Sequence, residues 1–454
     1  MPFKRGIHFY INVNNYVKII ENEENRTGKL THSLHALNTF FTLVERFALS
    51  SGAHIEKITS SRIHLYFDGE IDDSTKALLR IAIYSLQLSS VINKAGKYNI
   101  LKEFNINMGA SFGDYYYHTF SHNSLDEDTS FGYPCNFAAK LQSKARDHEI
   151  CVDKEVCDSL RKLGIHFSQD YSVDFDKKYK NGFFYRSDLF GFCSFSNRVN
   201  ISIENLMGVA NEYINKTNLS EIEFAEPKEK LFLDNTYLKY VYKIDGIPLF
   251  ADIRGFSKKF DPSGSNLSSM AKIAELSLKT MYDIVLKQKG THIQFQGDRE
   301  FAIFHDYGDY SCTVNAVFAG LRIIDELPKI SYGNGDDKAA RIEIGVGESV
   351  GSMFATRLGC RGNKDNIVIG KVVNDADIYE DTLAQENELV ISKDIYSELV
   401  SANKALSSIF SKKNADTYST IHGYSYFRSV SDQKQLERDN LSRNYNGAWS
   451  PIKK

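Results

Sequence analysis

The chain has 454 residues, more than one ordinary core accommodates, which predicts two or three domains with two as the starting figure. Hydrophobic residues make up 42% and charged residues 25%, so there is enough apolar surface to bury and the chain should fold. A net charge of −3 with no basic block argues against a partner that is nucleic acid and leaves a nucleotide-sized ligand open.

The opening residues, "MPFKRGIHFYINV", lack a long apolar core and a small-residue cleavage site, and no later segment reaches the apolar length of a membrane span. Six cysteines, at 135, 151, 157, 193, 312 and 360, are scattered without CxxC pairs, which predicts buried reduced thiols. These features predict a cytoplasmic protein without a membrane partner, where the sequons at Asn25, Asn215 and Asn218 carry no meaning.

In chain order, "HFYINVNNYVKI" (8–19) reads as a strand, and Leu34, Leu37, Phe41 and Val44 share one face of a helix. A strand, tight turn and second strand follow in "GAHIEKITSSRIHLYFDG" (52–69). Next come the glycine-bearing strand "INMGASFGDYYYHTF" (106–120), a helix start at "GYPCNFAAKLQ" (132–142), and a strand–helix pair in "HEICVDKEVCDSL" (148–160). Residues 201–240 are polar and carry one of only seven prolines, which reads as a partly helical connector.

The pattern then recurs. "LFADIRGFSKKF" (249–260) is an apolar run ending on Asp252, and Ile273, Leu276, Thr280 and Ile284 read as a helix face. "GTHIQFQGDREFAIFHDY" (290–307) aligns with 52–69 without a gap, Gly52 on Gly290, His54 on His292 and Ile55 on Ile293. This places Asn12 opposite Asp252 and Ser60 opposite Asp298. "IEIGVGESVGSMFAT" (342–356), "GKVVNDADIYE" (370–380) and "NELVISKDIYSEL" (387–399) match the remaining segments. Each half therefore predicts strand, helix, hairpin, helix, strand, helix, strand, helix, an α+β sandwich with helices on a mostly antiparallel sheet. The expected division is 1–200, a linker at 201–240, 241–430, and a polar, mobile tail at 431–454.

Asp252 ends a strand and Asp298 sits in the turn between the next two, so neighbouring strands bring both carboxylates to one sheet edge. Two such groups suit hard divalent ions, which prefer oxygen ligands and retain waters for a phosphate substrate. Two ions roughly 3.5–4 Å apart can activate an attacking oxygen and steady the leaving one. The turn "IRGFS" adds main-chain N–H groups as a phosphate cradle, which makes Phe256 a substrate-binding candidate.

In this order, "ADIRGFS" and "GD" before an apolar strand resemble the class III nucleotidyl cyclases over about residues 6–163 and 245–400. That family pairs two cyclase domains of ferredoxin-like, palm-type fold head to tail, with the active site across their interface. The resemblance implies Asp252, Asp298 and the main chain of Ile253 as ligands of two Mn²⁺ or Mg²⁺ ions. It also implies a Gly-x-x-x-Asn-x-x-x-Arg helix start. This stands as Gly132, Asn136 and Lys140 in the first half, and as Gly370, Asn374 and Ile378 in the second. Each half has lost what the other retains, so one composite site is expected. Asn136 would orient the ribose and Lys140 would offset charge at the α-phosphate. The mirror site, from Asn12, Ser60, Asn374 and Ile378, should be dead.

The family's base-selecting positions fall on Glu56 and Thr129. A buried Glu accepts hydrogen bonds, which suits guanine or cytosine and disfavours uracil. Divergent motifs without a sensor or membrane domain resemble the Pycsar antiphage cyclases, which make cyclic CMP or cyclic UMP. That resemblance implies a cytidylate cyclase taking CTP to 3′,5′-cyclic CMP, whose product is read by a separate effector. Guanylate or uridylate cyclisation, or a catalytically silent nucleotide-binding pseudodimer, stand as alternatives. Because both halves lie in one chain, the expected pseudodimer is intrachain and a monomer would suffice.

Overall fold

The computed structural model describes the chain except residues 1–2, 99–103, 123–124, 166, 168–184, 234–239, 257–266, 308–310, 333–339, 361–362, 421–423, 426–451 and 454. Nearly all of the expected tail therefore lies outside the described residues, as does the turn beyond Phe256. No helix among the described residues is long and apolar enough to cross a membrane. All six cysteines are free; four are buried and two half-buried.

The first half opens with β1 (Phe3–Val13), α1 (Tyr16–Thr27) and α2 (Thr31–Ser50), followed by the hairpin β2 (His54–Thr59) and β3 (Arg62–Asp68). Next come α3 (Ile71–Lys94), the long β4 (Ile106–His122), β5 (Leu125–Phe131) and α4 (Tyr133–Lys144). The half ends with β6 (Glu149–Val152), α5 (Lys154–Lys162) and β7 (Tyr185–Asp188). Its sheet runs β2-β3-β1-β4-β6-β7, with β5 paired on the free arm of β4. All neighbours are antiparallel except β4 and β6.

The stretch expected to be a polar connector is partly helical and is built into the fold. Helix α6 (Ile203–Lys216) buries Ala210 and Ile214 in the first core, and the Lys97 ammonium donates to the carbonyls of Ile214 and Thr217 at 2.5 Å each. Strand β8 (Glu223–Ala225) runs parallel to the opening of β9 (Tyr240–Ile253). Leu231 and Leu233 join a core cluster of the second half.

The second half repeats the first with α7 (Leu267–Lys287), β10 (Thr291–Phe295), β11 (Arg299–His305), α8 (Cys312–Glu326), β12 (Ile344–Glu348) and β13 (Gly351–Cys360). It continues with β14 (Asn363–Ile369), α9 (Lys371–Ile378), β15 (Glu388–Ser392) and α10 (Lys393–Ala402). The strands β16 (Phe410–Lys412) and β17 (Thr417–Thr420) close it, giving the order β10-β11-β9-β12-β15-β17-β16 with β13 on β9 and β14 on β13. Matching caps mark the repeat: the Asp153 carboxylate accepts from Val156 N–H at the start of α5, and the Ser392 hydroxyl from Ile395 N–H at the start of α10.

Strand registers fix the equivalences between halves. Gly6 faces the Phe67 carbonyl and Gly246 the Phe304 carbonyl, at distances of 1.9 and 2.2 Å from a would-be Cβ. Gly109 and Gly347 lie equally close to α4 and to α9 with the turn after it. These pairs set Asn12 opposite Asp252, but they shift the hairpin by one residue. Ser61, not Ser60, is equivalent to Asp298, while Ser60 (φ 44°) matches Gly297 (φ 70°). The slip begins at the preceding helix end, where the left-handed residue is Gly52 in one half and Lys289 in the other (φ 85° and 67°). Gly290, which looked like the counterpart of Gly52, is glycine for another reason: a Cβ there would lie 2.6 Å from the Phe304 ring.

Of the helix face expected in the second half, Ile273 and Ile284 are buried in the second core, and the other two positions are not. Leu276 is 49% exposed and Thr280 half-buried, while Ala274, Leu278, Met281 and Val285 face the core. In the first half Leu34, Leu37, Phe41 and Val44 are all buried.

The two halves share their cores reciprocally. Helix α2 packs on β13, and α7 packs on β4. Phe354, Leu358, Ile367 and Ile369 belong to the first hydrophobic cluster, and Phe120 and Phe131 to the second. Buried polar groups lock the seam. Lys57 donates to Glu127 at 2.8 Å and to the Phe295 carbonyl at 2.6 Å. Glu127 also meets His292 at 3.0 Å, and His292 meets Glu300 at 2.8 Å. Lys57 is thus a buried residue of the seam.

Candidate active site

A cavity of about 320 Å³ opens between the halves. The second half contributes residues 252–256 at the end of β9 and the turn 296–299; the first contributes Glu56, His64, Ser130, Asn136 and Lys140.

Asp252 lies on β9 directly opposite Arg299 of β11 and Gly345 of β12. Asp298 occupies the hairpin turn, which the Gln296 N–H closes by donating to the Arg299 carbonyl, with Gly297 in the left-handed conformation that glycine tolerates without strain. The Asn136 side-chain amide reaches across from α4 to donate to Asp298, so a first-half helix touches the second-half turn. Burial raises the Asp298 carboxyl well above its usual range, and the charge of Asp252 raises it further. Burial also raises Asp252, against the pull of Arg299, then Arg254, then Lys140. Two crowded carboxylates, Asp298 buried and Asp252 half-buried, form an all-oxygen donor set that fits a hard divalent cation. Ile253 lines the same cavity and buries its side chain in the core, leaving its main chain as the group that could join them.

A charged cage stands behind this pair. Glu380, in the π turn that continues α9, bridges Arg254 at 2.6 Å and Arg299 at 2.8 Å, and burial pushes its carboxyl up to about 8 despite Arg299. Arg254 also donates to the Ala384 carbonyl at 2.9 Å and fills the space over Gly345, where a Cβ would lie 1.8 Å from it. Arg299 pairs with Asp377 as well and lies 4.1 Å from the Phe250 ring centroid. Sequence reasoning missed Arg254, Arg299, Asp377 and Glu380, and only the two arginines left a signal. The signal available was an arginine within two positions of each aspartate, in "DIR" and "GDR".

The equivalent place in the first half keeps an arginine, Arg62 opposite Asn12 as Arg299 is opposite Asp252, but holds no acid. The Ser61 hydroxyl donates to Asn12 at 2.8 Å, the Asn12 amide to Asn107 at 3.1 Å, and the Gln142 amide to Asn107 at 2.9 Å. Asn107 stands where Gly345 makes room for Arg254, and Gln142 where Glu380 stands. These amides and hydroxyls satisfy one another and offer no anionic ligand.

Lys140 is half-buried on α4 and close enough for its charge to act on Asp252. Its counterpart Ile378 is 50% exposed, and Asn374 is also exposed. Glu56 sits at a bulge in β2 and takes the Ser130 N–H at 3.2 Å, the Ser130 hydroxyl at 2.6 Å and His64 at 3.2 Å. Burial alone would raise its carboxyl, but the charge and hydrogen bond of His64 hold it well below the usual range. Thr129 does not line the cavity: it is fully buried, its hydroxyl 3.5 Å from the Gly297 carbonyl, and Ser130 provides the polar group instead. The Phe256 side chain packs in the core against Phe131, ring centroids 6.4 Å apart, so the ring is not what a ligand would meet.

No protein-family model matches the chain, and no curated relative does. Among solved structures, a class III adenylyl cyclase-like ATP-binding protein from Pseudomonas aeruginosa superposes with a TM-score of 0.72 at 18% identity, over 96% of this chain and 90% of its own. The adenylyl cyclase CyaB from the same organism matches 40% of this chain and 95% of its own, at 21% identity and TM-score 0.32. The guanylate cyclase domain of RhGC from Catenaria anguillulae matches 39% of this chain and 95% of its own, at 18% identity and TM-score 0.32. The near full-length superposition at that low identity speaks for architecture alone, and the architecture of this chain is the class III cyclase fold.

Proposed function

We propose that this chain is a nucleotidyl cyclase whose halves, about 1–200 and 241–430, act as tandem cyclase domains paired within one chain, and that its substrate is CTP. One observation carries the reading: Asp252 and Asp298 of one half line a single cavity with Glu56, Asn136 and Lys140 of the other, while the place equivalent to the aspartates is a neutral amide network.

In the reaction, the ribose 3′-oxygen bonds to the α-phosphorus as the bond to the pyrophosphate oxygen breaks, and the hydroxyl proton passes to water. Mg²⁺ or Mn²⁺, held by Asp252, Asp298 and the main chain of Ile253, would supply charge neutralisation and activation of the hydroxyl. Asn136, anchored on Asp298, positions the ribose, and Lys140 offsets charge developing at the α-phosphate. Lysine in place of arginine supplies a point charge instead of a bidentate fork. Glu56 accepts from the base, which disfavours uracil with its carbonyl at that edge. The choice of CTP and the role of its product as a messenger to an effector in antiphage defence rest on the Pycsar resemblance of the motifs.

Incubating the protein with each of the four nucleoside triphosphates and Mn²⁺, and resolving products by mass, tests the reading: cyclic CMP should dominate, and cyclic GMP as the main product would refute the pyrimidine assignment. A second reading, a silent nucleotide-binding regulator, is favoured by the description of the P. aeruginosa structure as cyclase-like and ATP-binding. It predicts tight nucleotide binding with no cyclic product from any of the four.

A further inference from the structure

Behind Glu56 runs an unbroken chain of buried polar side chains that the proposed reaction does not use. The Cys135 sulfur lies 3.4 Å from His8 Nε2, His8 Nδ1 lies 2.8 Å from His64 Nε2, and His64 Nδ1 lies 3.2 Å from Glu56 Oε2. His8 is fully buried, and His64 and Cys135 are nearly so. Tyr10 stacks on His64 at 4.1 Å and 10°, and Tyr115 meets the His8 ring edge-on at 4.3 Å, which fixes both imidazole planes.

His8, Glu56 and His64 also place ligand atoms within 4.8 Å of one another, as a metal centre would. The pairing argues for a hydrogen-bond chain instead. The two imidazoles spend facing nitrogens on each other, and Glu56 approaches His64 at the other nitrogen, so one ion could not take all three groups without breaking both contacts.

We infer that Cys135, His8 and His64 are positioning residues that hold Glu56 as a fixed carboxylate acceptor with one lone pair left on Oε1, so that the base site reads a single exocyclic amino group. This deepens the proposed function and rests on the cavity being the nucleotide site. The count follows from the contacts. Among the described residues, Oε2 accepts from the Ser130 hydroxyl and from His64, and Oε1 accepts only from the Ser130 N–H. A carboxylate oxygen offers two acceptor positions, which leaves one on Oε1. Guanine presents two adjacent donors and needs both oxygens; the amino group of cytosine or adenine needs one; the uracil carbonyl at that edge finds no donor here.

The bond from His64 to Glu56 protects this state. Because Glu56 is an acceptor, His64 Nδ1 must carry a proton; the contacts of His64 with His8 and of His8 with Cys135 can run in either direction without disturbing that one. Burial lowers His8 well below its usual range and raises the Cys135 thiol, which keeps both neutral.

Equilibrium titration of the intact protein with CTP, ATP, GTP and UTP by calorimetry tests the inference without relying on turnover. The wild type should bind a nucleotide with an amino-bearing edge, CTP or ATP, about tenfold or more tighter than UTP and GTP, the worth of one charge-assisted hydrogen bond. His64→Phe and His8→Phe should erase that preference while leaving overall triphosphate affinity within a few-fold, and His64→Gln, which can still donate, should restore part of it. Cys135→Ala, the mildest change, serves if the phenylalanine variants do not fold, and should narrow the preference by a smaller factor. GTP as the tightest ligand, an unchanged preference in folded His64 or Cys135 variants, or a stoichiometric transition metal in the purified protein would each overturn it. Failure of cyclisation with this preference intact would sink the catalytic reading and leave the inference standing.

Discussion

Asp252 and Asp298 carry opposite consequences for stability and for chemistry. Both carboxyls are raised by burial, Asp298 further by Asp252. A group whose folded value is raised contributes stability that is complete below its unfolded value and lost as pH rises through the folded one. At neutral pH without a divalent cation, Asp298→Asn should therefore raise the melting temperature while abolishing cyclic product. Mn²⁺ should raise the melting temperature of the wild type and not of that variant, since a ligand stabilises only the state that binds it. A differential scanning series with and without Mn²⁺ checks both. At Lys140 the expectation is kinetic: Lys140→Ala should lower kcat roughly a hundredfold with little change in KM, as removing one preorganised cation does, and Lys140→Arg should retain activity. Steady-state kinetics separate these. Of the residues at this site, the aspartates, Asn136 and Lys140 were legible as motif positions. His8, His64 and Ser130 were not, because their arrangement depends on cross-strand packing that no local pattern encodes.

The elements show how a legible repeat can still be misread by one residue. Gly52 and Gly290 invited alignment, yet one is the left-handed end of a helix and the other a contact glycine under Phe304. A one-residue slip in a hairpin moves every side chain to the other face, which is why Ser61 and not Ser60 answers Asp298. Recreating the lost acid should fail instructively. Asn12→Asp would bury a charge among Asn107 and Ser61, opposite Arg62 as Asp252 lies opposite Arg299 but with Asn14 in the place of Arg254, and should destabilise by roughly 1–3 kcal/mol without adding a second site. Chemical denaturation measures that loss. The seam between the halves is also pH-dependent. Burial would lower His292, but Glu300 and Glu127 outweigh it and raise it to about 9. Its contribution is complete below the ordinary imidazole value near 6.5 and disappears as pH rises through about 9. Melting curves from pH 6 to 10 should show that decline, and His292→Gln should flatten it.

For the whole molecule, the α+β class and the repeat were readable because hydrophobic periodicity and glycine spacing recur at each element. The role of 201–240 was not, because a polar composition conceals that Ala210 and Ile214 pack into one core and Leu231 and Leu233 into another. Reciprocal packing of α2 on β13 and α7 on β4 places both contributions to the cavity in one chain. Specific activity should accordingly be independent of protein concentration across a wide dilution series, in contrast to a site formed between chains. The central claim is that the two halves complete a single catalytic site, and the rate of cyclic nucleotide formation from CTP with Mn²⁺ tests it most directly when the wild type is compared with Asp298→Asn in one half and Lys140→Ala in the other. Loss of most of the rate in each variant is the predicted result, and a wild-type rate from either folded variant would contradict the account.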